Sequence, residues 1–104
     1  MTIATMRTSL TQDDIRRLVR GDSPEARANA AHKICKRIDA MDLTGEDQES
    51  ARQILDLMCN DAASLVRLAL AVTLRNSPKL PRDIAIKLAK DIDAIAIPVL
   101  NNSP

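Results

Sequence analysis

No phenylalanine, tyrosine or tryptophan occurs in the 104 residues. Their absence removes the usual platforms for stacking nucleobases, the aromatic cages that hold cations, and the Tyr and Trp anchors frequent at protein interfaces. It also restricts the core to Leu, Ile, Val, Ala and Met, packed between slim helices that alanine allows to approach closely. Glycine is nearly as scarce: with only Gly21 and Gly45 there is no glycine-rich loop to cradle a phosphate. No segment alternates apolar and polar residues as a half-buried strand would. No run approaches the roughly 20 apolar residues that span a bilayer. The first ten residues, MTIATMRTSL, lack the apolar stretch and small-residue cleavage site of a secretory signal, so the expected compartment is the cytoplasm.

Groups that carry chemistry are equally thin. The single histidine, His32, stands three residues before Cys35, and Cys59 is the only other cysteine. Structural zinc takes four ligands and catalytic zinc three plus water, and no CxxC or HExxH supplies such a set. Both cysteines fall inside apolar helical patterns, where a reduced thiol acts as a small hydrophobe and an inward-facing nucleophile cannot be reached. Asp13, Asp14, Glu46 and Asp47 sit in first helical turns, where capping accounts for them. These features point away from an enzyme and require no metal or cofactor.

What the chain does have is helical periodicity. Its length fits one domain. The expected order is a tail over residues 1–9, then a first helix opened by a Thr11/Asp14 capping box and a Leu10–Ile15 staple. Its apolar stripe is Ile15, Leu18 and Val19, and Gly21 offers a left-handed stop. Ser23-Pro24 starts a second helix to about Ala40, with Ala26 or Ala30, then Ala31, Ile34, Cys35, Ile38 and Met41 inward. Thr44 and Asp47 form another capping box before a third helix burying Ala51, Ile54, Leu55 and Met58. Residues 62–76 are apolar nearly all round, as expected of a central helix. Pro81 opens a fifth helix carrying Ile84, Ala85, Leu88 and Ala89. A sixth, over residues 92–100, contains Pro98 and should be short or kinked. The expected fold is all-α, six helices in three antiparallel pairs.

The net charge of +1 conceals a segregation: residues 7–37 carry a net +4, residues 38–61 a net −6, and the rest a net +3. Arg16, Arg20, Lys36 and Arg37 on the basic third are candidate contacts for a protein partner. With Arg27 and Lys33 the same residues could instead bind a nucleic-acid backbone, which needs only charge and shape. The near-neutral total, the acidic third helix and the lack of aromatic stackers make nucleic acid the weaker alternative.

The pentapeptide Leu74-Arg75-Asn76-Ser77-Pro78 returns 26 residues later as Leu100-Asn101-Asn102-Ser103-Pro104. An offset of 40 places Arg27 on Arg67, Ala26 on Val66, Ala28 on Leu68 and Ala31 on Ala71, and about forty residues is the size of a HEAT-type unit. The stretch from Asp61 through Leu65-Val66-Arg67 to Ala69, Ala71 and Leu74 resembles the second helix of a HEAT repeat. From Asp61 onward the chain also resembles a bacterial family of unknown function with HEAT-like repeats. Ser64, Val66, Arg67, Ala69, Leu70 and Ala71 carry the likeness, then Ser77, Pro78, Leu80 and Pro81, then Ala96, Pro98, Val99, Leu100, Ser103 and Pro104. The last unit departs from the pattern, because a spacing of 26 sets Asp93 at the place of Arg67.

This resemblance implies an α-α superhelix, with Asp61 and Arg67 bonding between neighbouring units in a structural role, and a protein-binding scaffold rather than a catalyst. It further implies that residues 10–104 are one HEAT-like domain, the N-terminal part of a longer array. In that case the outer face of the last pair, including some of Ile92, Ile95, Ile97 and Val99, would be uncovered and would pair with a second copy or remain an exposed apolar patch.

Overall fold

Ser23 and Pro24 start the longest helix by the expected chemistry. The Ser23 hydroxyl accepts a hydrogen bond from the Ala26 backbone at 3.0 Å, and Pro24 occupies a position whose N–H would have had no helical partner. The structure is a computed structural model describing residues 12–42 and 44–102, with side chains from 15 to 42 and from 44 to 100. Six helices appear among these residues: α1 (Gln12–Arg20), α2 (Pro24–Ala40), α3 (Glu46–Cys59), α4 (Ser64–Leu74), α5 (Arg82–Ala89) and α6 (Asp93–Asn102). The described residues contain no strand, and the fold is all-α. The expected tail, the Thr11 capping box and the Leu10 staple lie outside the described residues.

Packing follows two rows. Helices α2, α4 and α6 lie side by side, with α4 against both neighbours, while α3 and α5 pack on each other in a second row. Each consecutive pair, α1–α2, α3–α4 and α5–α6, joins across the rows. The Cα extents are 35 × 32 × 17 Å, and the shortest is the thickness of two helical layers. Ile34, Ile38, Leu55, Met58, Leu70, Leu74, Ile84, Leu88 and Ile95 fill the interior without one aromatic ring. Ala30, Ala31 and Ala71 sit fully buried, which allows α2 and α4 their extensive contact. No helix among the described residues is long and apolar enough to cross a membrane.

Several local expectations need correction. Gly21 does not adopt a positive φ. Its need is space, because a Cβ there would lie 2.5 Å from the Arg17 carbonyl oxygen and 2.9 Å from the Arg27 Cγ. Gly45, at φ +53°, is the left-handed residue and stands as the N-cap of α3. It takes the place expected of Thr44, so no side chain caps that helix, and one Asp47 carboxylate oxygen is buried with no hydrogen-bond partner. Val19 is exposed rather than part of an inner stripe. The helix expected to be covered all round, α4, is central but leaves Leu65 and Val72 exposed. Helix α6 runs through Pro98 as the expected segment did, but from Asp93 to Asn102 rather than over 92–100. Proline has no N–H for the carbonyl of Ala94, which is exposed and can bond water instead.

Candidate interaction surfaces

Two arginines one repeat apart perform the same task. Arg27 on α2 forms a two-pronged pair with Asp61, Nε to Oδ2 at 3.1 Å and Nη2 to Oδ1 at 3.2 Å, while its Nη1 donates to the Gly21 carbonyl at 3.2 Å. Arg67 on α4 does the same with Asp91, Nε to Oδ2 at 2.7 Å and Nη2 to Oδ1 at 3.2 Å, and its Nη1 donates to the Asp61 carbonyl at 2.8 Å. In both cases the accepting carbonyl lies six residues back. The planar guanidinium fits this task because it offers a fork to the carboxylate and a further donor to the backbone.

The two aspartates also match. Asp61 accepts from the backbone N–H of Ala63 at 2.8 Å, and Asp91 from that of Ile92 at 2.7 Å. Burial opposes ionisation of Asp61. The hydrogen bonds from Arg27 and Ala63, with the charges of Arg27 and Arg67, nonetheless hold its carboxyl below the ordinary value. For Asp91 the hydrogen bond from Arg67 dominates and has the same effect against burial, helped by the Ile92 N–H.

Asp61 and Arg67 therefore do not pair side chain to side chain. Each reaches a neighbouring unit, Asp61 towards α2 and Arg67 towards the α5–α6 turn, and they meet only through the Asp61 carbonyl. Arg27 and Asp91 are the members that the sequence reading did not assign to this role. The offset of 40 had superposed Arg27 on Arg67, and that was the available signal for it. Asp91 lies 30 residues after Asp61, so the last unit is better aligned at 30 than at 26, and Ile97 rather than Asp93 then stands at the place of Arg67.

The basic candidates are arranged differently. Arg16 and Arg20 lie one turn apart on the exposed side of α1, and Lys36 and Arg37 are exposed near the end of α2. Arg27, grouped with them for backbone binding, is instead committed to Asp61. His32 contacts the Thr73 hydroxyl at 2.9 Å, one more link between α2 and α4. The Cys35 thiol is buried 3.5 Å from the Met58 sulfur, and burial, assisted by the charge of Asp39, pushes its pKa up to about 12. Cys59 is also a buried free thiol, and burial raises its pKa. Neither suits a nucleophile at neutral pH. Among the described residues no three His, Cys, Asp or Glu side chains group so as to hold a metal ion.

An apolar groove of about 490 Å³ lies at the far flank, between the α4–α5 loop, α5 and the last turn of α6. Its floor includes Pro78, Leu80, Ala85, Ile86, Ala89, Val99 and Leu100, and Arg75 and Arg82 stand at its edge. Ile86 and Leu100 leave 47% and 61% of their surface to solvent. Of the four residues from which an uncovered face was expected, Ile92 and Ile97 are exposed, together with Ile86 and Leu100, whereas Ile95 and Val99 are buried in the core. The loop itself is anchored, since the Ser77 hydroxyl donates to Asp39 at 2.5 Å and the Lys79 ammonium to the Asp39 carbonyl at 2.6 Å. Comparison with protein-family models, curated proteins and solved structures finds no match for the chain.

Proposed function

We propose that the chain is a non-enzymatic protein-interaction scaffold built as a HEAT-like superhelical stack of helical pairs, binding a partner by shape-complementary docking on a preformed surface. The repeated arginine joint is the observation that carries this reading. Arg27 and Arg67 tie successive pairs together with the same three-point geometry, as a modular array would require. Such a stack presents a groove without first having to order it, which lowers the entropic cost of association. The flank groove supports the reading further, because exposed Ile86 and Leu100 beside a pre-anchored loop form a surface that water solvates poorly.

Affinity capture from the native cells, with the full chain and an Ile86→Asp variant of equal melting temperature, tests this function. We expect the wild-type chain to retain a protein in stoichiometric amount and the variant to lose it. Retention of nothing by either chain contradicts a scaffold. The exposed bases Arg16, Arg20, Lys36 and Arg37 favour a second reading, nucleic-acid backbone binding. A gel shift with duplex DNA at low salt separates the two: absence of retardation removes the second reading, and salt-sensitive retardation abolished by alanine at those four positions supports it.

A further inference from the structure

The groove at the far flank joins an apolar floor to a rim of one charge sign. Along α5 the residues Arg82, Ala85, Ile86 and Ala89 recur at i, i+3, i+4 and i+7, so one helical face lines it. Arg75 and Arg82 are exposed, and among the described residues neither guanidinium pairs with a carboxylate and no carboxylate lines the groove. In this they differ from Arg27, Arg52 and Arg67, each held by an aspartate.

We propose that this groove receives an acidic amphipathic helix of another protein. Its apolar stripe would lie on Ile86 and Leu100, and carboxylates on its flank would meet Arg75 and Arg82. The inference rests on the scaffold reading and specifies the chemistry of the partner. Charge complementarity decides among occupants. Face-to-face pairing of two copies through this groove brings four guanidiniums together, and residues 1–11 of the chain carry Arg7 and no acid. Docking α1 of a second copy adds Arg16, Arg17 and Arg20 against only Asp13 and Asp14, so that helix is still net positive. The acidic α3 exposes a single large apolar side chain, Leu57, too little to cover the floor. A nucleic acid could satisfy the two arginines but would leave Ile86 and Leu100 against water. An amphipathic helix laid in a groove satisfies both halves of the surface.

The test uses the full chain and three fluorescein-labelled helical peptides: one with leucines at i, i+3, i+4 and i+7 flanked by glutamates, one with the glutamates changed to lysines, and one with the leucines changed to serines. We expect anisotropy to report binding of the first peptide alone. Its affinity should fall at least about tenfold in the Arg75→Glu/Arg82→Glu double variant and in Ile86→Asp, and should weaken as salt rises. Circular dichroism and melting temperature establish that each variant is folded. Failure of the acidic peptide to bind overturns the proposal, as does equal binding of the lysine peptide or equal binding by the double variant. Concentration-dependent dimerisation in sedimentation equilibrium, lost in Ile86→Asp, also overturns it and names a second copy as the occupant. If the acidic peptide fails while affinity capture retains a partner, the partner chemistry is wrong and the scaffold reading stands. If capture retains nothing, the scaffold reading itself falls.

Discussion

The seams between helical pairs and the flank beyond α5 and α6 use the same ingredients to opposite effect. At the seams, arginines lie among aliphatic side chains and each is clasped by an aspartate; Arg67 and Asp91 keep only 19% and 15% of their side chains exposed. At the flank, Arg75 and Arg82 also border aliphatics, yet no carboxylate among the described residues answers them and Ile86 and Leu100 lie open. Identical residue types thus serve cohesion where a neighbouring pair covers them and remain available where none does. What separates the two regions is the position of an aspartate, because an arginine becomes part of the fold only when its charge and donors are satisfied inside it.

Four checks test that contrast, from the largest effect to the smallest. Leu70→Ala, in the buried middle of α4, should cost roughly 3 kcal/mol in urea unfolding, whereas Leu100→Ala at the flank should stay within about 0.5 kcal/mol. Equal costs would mean that the flank is core. Next, Arg67→Ala should cost about 2 kcal/mol, since it leaves Asp91 with only the Ile92 N–H and the Asp61 and Ala62 carbonyls short of a donor. Arg27→Ala should cost somewhat less, having one backbone acceptor instead of two. Lysine at position 67 should restore little, because it lacks the fork.

The acid limb of the stability profile is the third check. In the unfolded chain the Asp61 and Asp91 carboxyls protonate near their ordinary value of 3.8, while in the fold both stay charged to lower pH. Their stabilising contribution is therefore complete above about pH 5 and is lost as pH falls through 3.8 towards the folded values. Asp61→Asn should flatten this limb, and an unchanged acid midpoint would show that the seam charges do not matter. The smallest effect belongs to Arg52→Ala. Arg52 pairs with Asp83 between α3 and α5, but 42% and 60% of these side chains remain in water, so the urea midpoint should not move measurably.

Much of this contrast was legible in the sequence where periodicity spoke. Six helices, the buried stripes of α2, α3 and α5, and the central place of α4 follow from apolar spacing and from Ser23-Pro24. Local signals were weaker wherever two chemistries could satisfy them. Thr44 and Gly45 can both precede a helix, and the structure uses the glycine's left-handed freedom. Asp91 suited a helix cap as well as it suited Arg67, and only the tertiary meeting of α4 with the α5–α6 turn reveals its main partner. At the start of α6 and along it, Ile92, Ile95, Ile97 and Val99 look alike in composition, and the direction from which α4 approaches buries the second and fourth alone. The groove could not be read at all, because it is assembled from Arg75 through Leu80, one face of α5 and the last turn of α6.

The distinction between seam and flank rests most directly on one matched pair of charge reversals, Arg67→Glu and Arg82→Glu, followed by thermal unfolding. Glutamate at 67 would face Asp91 across a largely buried joint, whereas glutamate at 82 enters the exposed first turn of α5, where the helix dipole favours an acid. We expect the melting temperature to drop by roughly 10 to 20 °C for Arg67→Glu and to change by no more than about 2 °C for Arg82→Glu. Comparable drops in both would make Arg82 part of the internal cohesion and contradict the view that the flank is left free for a partner.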